Sequence, residues 1–305
     1  MTIFEGLIAA THSPFDSAGD LNLRTVDAQA QILAESKVKV AFVCGSTGES
    51  HSLTIEERVR LAERWMNVAA GRLNVFVHVG HNCQRDAMAL ASHAQRIGAV
   101  ATSSIAPSHF RPTNVDDLIE FLVPIAAAAP RIPFYYYDIP GLTGVRLPMH
   151  QFLPRAAERI PNLAGIKYSN EDLMTLQACM ALGDRFEVLY GNDEILLAAL
   201  ALGVRGAIGS TYNYAAPVYH RVLQAFAAGD LAMARVEQRK SVALVQVLLK
   251  FGVIAAGKAL VSMLGADCGP ARAPLRALSA QERISLWEQL HAMDIFVRPL
   301  QRPGC

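Results

Sequence analysis

The sequence predicts an α/β chain of the (β/α)8 (TIM) barrel class with a C-terminal helical extension. Eight short apolar runs recur about every 25–30 residues, the period of a strand–helix unit in such a barrel. The gaps between them carry amphipathic sequence of helical length. After about residue 228 strand-like runs stop and only helical patterns follow. A doubly wound sheet is the competing arrangement, but no G-x-G-x-x-G follows the first run. The barrel is therefore assigned to residues 1–228 and the extension, packed on it, to 229–305.

The strands fall at residues 6–11, 40–45, 74–79, 99–106, 133–138, 163–168, 186–191 and 206–210. The clearest helix is TIEERVRLAERW, where Thr54 and Glu57 have capping-box spacing and Val59, Ala62 and Met66 form an apolar stripe. In NVDDLIEFLVPIAAAA, Asn114 is the cap, Asp116 and Asp117 sit near the positive end of the helix dipole, and Pro124 predicts a kink or early stop. The extension reads as three helical segments, the last opened by a second capping box, Ser279 and Glu282.

Composition narrows the class of partner. The 305 residues are 52% hydrophobic and balance 28 basic against 27 acidic side chains. Without a basic stripe or acidic tail, nucleic acid and anionic membrane are not expected partners. The opening MTIFEGLIAATHSPFD has neither a basic flank nor a long apolar core, and no apolar run of about 18 residues follows. Five scattered cysteines lack CxxC spacing, which predicts free thiols in a reducing cytoplasm.

A barrel keeps its chemistry at the C-terminal ends of its strands. Of six lysines, Lys37 and Lys39 precede a strand, and Lys240, Lys250 and Lys258 lie in the extension. Only Lys167 ends an apolar strand, in LAGIKYS, where desolvation favours a neutral, nucleophilic amine. Tyr137 ends the preceding strand in FYYYDIPGLTGV, so adjacent parallel strands would bring a phenol beside that amine. Alternation puts Tyr135 with Tyr137 on one face and Tyr136 on the other. The turn CGSTGES offers Ser46, Thr47 and backbone N–H groups to an anion, a small carboxylate or a phosphate. Asp193, Glu194 and Ser210 stand at the ends of strands seven and eight as polyol-binding candidates. His78 and His81 suggest a metal, but three residues apart on an extended chain they face opposite ways, and no third ligand is evident; no metal is expected.

GSTGE after strand two, YYYDIPGLTGV after strand five and GIKYS after strand six, with GNDE, GSTYNY and GPARAPLRALS further on, resemble the dihydrodipicolinate synthase/N-acetylneuraminate lyase family of class I aldolases. Within it the motifs are closest to the N-acetylneuraminate lyases. The resemblance implies an imine between Lys167 and the ketone of a sugar acid, with Tyr137 shuttling the proton of the C4 hydroxyl. It implies that Ser46 and Thr47 hold the pyruvyl carboxylate, and that Ser169, Gly191, Asp193, Glu194, Gly209 and Ser210 line the polyol site. Cleavage would yield pyruvate and N-acetylmannosamine, with no metal or organic cofactor, in a homotetramer. Leu142, two residues past Pro140, stands where the synthases usually carry an arginine for a second carboxylate. In the loop after strand four, APSHFRP, His109 or Phe110 replaces a tyrosine that many members pass across a subunit interface. An aldolase or dehydratase for another 2-keto-3-deoxy sugar acid, a dihydrodipicolinate synthase (which Leu142 disfavours), and a barrel that binds a sugar acid without turnover are the alternatives.

Overall fold

The computed structural model describes residues 4–304; Met1–Ile3 and Cys305, included in the ranges and cysteine count above, lie outside the described residues. Eight parallel strands close into a barrel in sequence order: β1 (Gly6–Ala10), β2 (Val40–Val43), β3 (Asn74–His78), β4 (Ala101–Ile105), β5 (Phe134–Asp138), β6 (Leu163–Tyr168), β7 (Glu187–Tyr190) and β8 (Gly206–Gly209). Each falls inside the run that predicts it, one or two residues shorter at most ends. The outer ring comprises α1 (Thr25–Glu35), α2 (Ile55–Ala69), α3 (Gln84–Arg96), α4 (Val115–Ala127), the short α5 (Pro140–Thr143), α6 (Met149–Ala157), α7 (Leu173–Met180), α8 (Leu196–Ala201) and α9 (Ala216–Ala227). The extension is α10 (Leu231–Phe251), α11 (Val253–Met263) and α12 (Ala280–Leu290).

Both predicted capping boxes form, at Thr54–Glu57 and Ser279–Glu282, and Asn114 caps α4 through the Asp117 amide. Two details differ from the sequence reading. The buried stripe of α2 is Arg58, Leu61, Ala62, Trp65 and Val68, with Val59 and Met66 only half-buried. The stripe rotates because Arg58 turns inward to donate to the carbonyls of His78 at 2.6 Å and Gly80 at 2.8 Å. Nor does α4 stop early at Pro124. It runs through to Ala127, because its apolar face is buried on the barrel and a proline so near the C-terminus disturbs little of the helix.

Two cores result. Between the strands and the helical ring lies the larger one, in which each fully buried aliphatic or aromatic side chain contributes about 1.5–3 kcal/mol relative to exposure. The second fills the barrel itself with Phe42, Phe76, Tyr135, Tyr137, Leu189 and smaller residues, so the barrel is a packed interior with a site at its upper end. Tyr135 and Tyr137 face this interior while Tyr136 belongs to the outer core, as alternation predicts.

Strand β6 breaks that alternation. Phe134 pairs with Leu163 but Tyr135 with Gly165, so β6 carries one extra residue, a β-bulge at Ala164. Leu163 consequently joins the outer core, while Lys167, four residues on, stands opposite the inward-facing Tyr137 across the β5–β6 ladder. Among the described residues no single helix is long and apolar enough to cross a membrane; α10 and α11 are bent by 112° at Gly252, whose φ of 87° breaks the helix. Cys44, Cys83, Cys179 and Cys268 are free thiols.

Candidate active site

The strand ends of β2, β5 and β6 bring together the residues that the sequence singles out. Tyr137 and Lys167 are register partners, and both are buried. The Lys167 Nζ lies 3.8 Å from the centroid of the Tyr137 ring and 4.5 Å from that of Phe42. Among the described residues no carboxylate lies within ion-pair distance of this amine. The Tyr137 ring is held edge-on by Phe42, at 6.0 Å and 88°, and by His78, at 5.6 Å and 89°. Its hydroxyl lies 3.5 Å from Ser46 Oγ, which joins the loop after β2 to the phenol. Thr47 follows Ser46, buried at the same loop.

Strands β7 and β8 supply the other side. Asp193 is buried in the short turn before α8, where its Oδ2 accepts from the Thr211 amide at 2.9 Å and from Thr211 Oγ1 at 2.6 Å. Its Oδ1 is buried with no protein partner. Burial pushes the Asp193 carboxyl up to about 6, while the Thr211 donors and the positive charge of Lys167 pull the other way. Asp193 is thus within electrostatic reach of the lysine, with one acceptor spent on the fold and one free.

Glycine at two predicted positions has a steric reason. A Cβ on Gly209 would stand 1.7 Å from Asp193 Oδ1, and one on Gly191 would stand 1.8 Å from Ser169 Oγ. The structure therefore pairs Gly209 with Asp193 and Gly191 with Ser169. Ser210 leads the turn that carries Thr211, and its carbonyl accepts from the Asn213 side chain at 2.8 Å. Glu194 is half-buried, and its carbonyl accepts from Gln238 of α10 at 3.0 Å.

His78, which the sequence reading discounts as a metal ligand without placing it, sends its ring into the barrel, where Nδ1 meets Ser103 Oγ at 2.9 Å. Burial, with the charges of Arg58 and Lys167 nearby, holds this imidazole well below the usual histidine range, so it is neutral. Period-two alternation from Phe76 was the signal that could have placed it inside. His81 does point away, and its Nδ1 accepts from the Cys83 amide at 3.0 Å in the turn that opens α3. Donor atoms of His81, Cys83 and Asp86 lie within 4.8 Å of one another on this exposed turn, an arrangement that the helix start accounts for. In the loop after β4, His109 packs at 4.7 Å on Phe110 and both are exposed, so neither approaches Tyr137 within the chain. Leu142 lies on α5 and is exposed.

The arrangement can perform carbonyl chemistry: an amine without a carboxylate partner among the described residues, a phenol ring against it, and the Ser46 hydroxyl beside the phenol oxygen. The model of the dihydrodipicolinate synthetase family matches residues 3–293. The chain belongs to that family. It is 44% identical over 283 residues to N-acetylneuraminate lyase of Gallus gallus, covering 91% of this chain and 92% of that one. Among solved structures, N-acetylneuraminate lyase (sialic acid aldolase) from Aliivibrio salmonicida superposes with a TM-score of 0.94 at 41% identity, covering 97% of this chain and 99% of that chain. The Proteus mirabilis N-acetylneuraminate lyase also gives a TM-score of 0.94, at 37% identity, covering 97% of this chain and all of the other.

Proposed function

We propose that this family member is a class I aldolase that cleaves N-acetylneuraminate reversibly to pyruvate and N-acetylmannosamine, with Lys167 as the imine-forming residue. The observation that carries the reading is the Lys167–Tyr137 pair, with Nζ 3.8 Å from the phenol ring and Ser46 at the phenol oxygen. The substrates named for the relatives supply the sugar acid.

In this reading the Lys167 amine adds to the C2 ketone and water leaves, giving a protonated imine. Tyr137 accepts the proton of the C4 hydroxyl. The C3–C4 bond then breaks, its electron pair flowing to the iminium nitrogen as an enamine, while C4 leaves as the aldehyde of N-acetylmannosamine. Protonation at C3 and addition of water release pyruvate and return the amine. Ser46 and Thr47 hold the carboxylate, and the unpaired Asp193 Oδ1 accepts from a sugar hydroxyl. Ser169, Gly191, Glu194, Gly209 and Ser210 shape the rest of the polyol site. The chemistry is complete with the covalent imine and calls for no metal or organic cofactor.

Leucine at position 142 argues against a dicarboxylate substrate, since it offers no positive charge to a second carboxylate. Exposed Phe110 in the loop after β4, Leu142 on α5 and Met174 at the start of α7 support assembly into a homotetramer, which light scattering would read against the 33.0 kDa chain. We place the enzyme in the cytoplasm on its free thiols. The reading is tested by incubating the protein with pyruvate and borohydride and mapping the adduct. An adduct on Lys167, together with turnover of N-acetylneuraminate above that of other 2-keto-3-deoxy sugar acids, is the expected result. Unchanged cleavage by Lys167→Ala would sink it.

A further inference from the structure

The loop that presents Ser46 and Thr47 is held in a conformation its own sequence disfavours. Both ends carry non-glycine residues in the left-handed region, Cys44 at φ 60° and Glu49 at φ 54°. Each such residue costs roughly 1–2 kcal/mol and persists only where the surroundings dictate it.

At Glu49 those surroundings come largely from the C-terminal extension. Glu49 Oε1 accepts from Lys258 Nζ of α11 at 2.9 Å, across 209 positions of sequence, and both side chains are only 1% exposed. Glu49 Oε2 accepts from the Arg272 amide at 2.8 Å. Lys258 also donates to the Pro270 carbonyl at 2.7 Å. Lys258 and Arg272 sit at 4.1 and 4.2 Å from the centroid of the Phe15 ring. The Arg272 guanidinium continues to Glu57 and to the carbonyls of Gly19 and Ser52. From the β1 side, Ser13 Oγ donates to the Gly48 carbonyl at 2.6 Å. His12 closes the back of the loop as a neutral ring, pushed down to about 3 chiefly by burial, so it brings no competing charge.

Both oxygens of Glu49 are therefore spent inside the protein, two residues from Thr47, and neither is available to a ligand. We propose that Glu49, Lys258 and Arg272 form a positioning clamp through which the helical extension sets the carboxylate-gripping loop of the active site. The clamp rests on the reading of Ser46 and Thr47 as the grip on the pyruvyl carboxylate. It makes the extension part of the pyruvate half of the site, although none of its three residues touches substrate. A buried ion pair is a poor source of net stability, because desolvation offsets its attraction, but it fixes a geometry. Displacing the loop by about 1 Å is enough to cost one to two orders of magnitude in productive binding.

The test measures the pyruvate concentration that half-saturates borohydride trapping on Lys167, with the KM for N-acetylmannosamine in the condensation direction as the reference. Lys258→Met and Glu49→Gln are each expected to raise the pyruvate value by roughly tenfold or more. The N-acetylmannosamine KM should stay within about twofold, and Lys258→Arg should recover most of the loss. A destabilised fold would move both constants together, which separates positioning from damage. Should either single variant fail to fold, the Glu49→Gln/Lys258→Met protein, which leaves neither charge of the pair buried alone, carries the measurement. Folded variants with wild-type pyruvate saturation overturn the clamp alone. A wild-type protein that traps no pyruvate overturns the functional reading and the clamp with it.

Discussion

Replacing Gly209 by alanine tests the proposed polyol side of the site through one methyl group. The new Cβ would lie 1.7 Å from Asp193 Oδ1 and 2.5 Å from Oδ2. Carbon and oxygen need about 3.4 Å or more, so Oδ1 must retreat by roughly 1.7 Å. It has nowhere to go without leaving Thr211, whose amide and hydroxyl hold Oδ2 at 2.9 and 2.6 Å. Charge-assisted hydrogen bonds of this kind contribute roughly 1.5–3 kcal/mol each, so losing both costs about 3–6 kcal/mol, less whatever the backbone recovers by shifting. Loss of the Thr211 donors also removes the main influence that lowers the Asp193 carboxyl, which burial already pushes up to about 6, so it should titrate higher in G209A. The assay is urea unfolding of G209A beside kcat/KM for N-acetylneuraminate from pH 5.5 to 8. Borohydride trapping of pyruvate on Lys167 should continue, because that half of the site is untouched. A G209A protein with wild-type stability and wild-type kcat/KM would refute the packing argument and the role given to Asp193.

Three further outcomes are expected. Tyr137→Phe keeps the ring between Lys167, Phe42 and His78 but loses its oxygen; kcat should fall by about 10²–10⁴ while pyruvate trapping persists, and undiminished kcat would exclude the proton shuttle. Asp138, buried beside Asn170, is raised from 3.8 to about 7 by burial, so the folded state binds a proton that the unfolded state releases. Stability from this group is complete below about pH 4 and is lost as pH rises through 7; Asp138→Asn should flatten that part of a pH series of unfolding free energies, and an unaltered slope would contradict the assignment. Thr54→Ala removes the cap of α2 and should lower stability by about 1 kcal/mol in denaturant titration, with kcat/KM unchanged.

The fold was legible because barrel strands buried on both sides are written as continuous apolar runs, and the helices between them carry local caps. Thr54, Asn114 and Ser279 act within one turn of themselves, so nothing distant was needed to read them. The pairing of Tyr137 with Lys167 was legible for a similar reason: a lone lysine and a tyrosine at successive strand ends must become neighbours in a parallel barrel.

Long-range contacts decided the rest. Strict alternation from Leu163 would have set Lys167 on the face that Leu163 occupies, the outer one. The bulge at Ala164 turns the lysine inward, and it exists only because β6 pairs with β5 in that register. Asp193 looked like a free carboxylate or the acid of a helix start until Thr211, eighteen residues on, took one of its oxygens. His78 entered the barrel, and Lys258, which sequence placed in a remote tail, reached the loop of Ser46 and Thr47. By itself the sequence determined which side chains stand at the strand ends, since identity and strand position are local properties. The tertiary structure decided which way they face and what holds them there, because a side chain's direction and its partner are set by pairing between segments that the chain order keeps far apart.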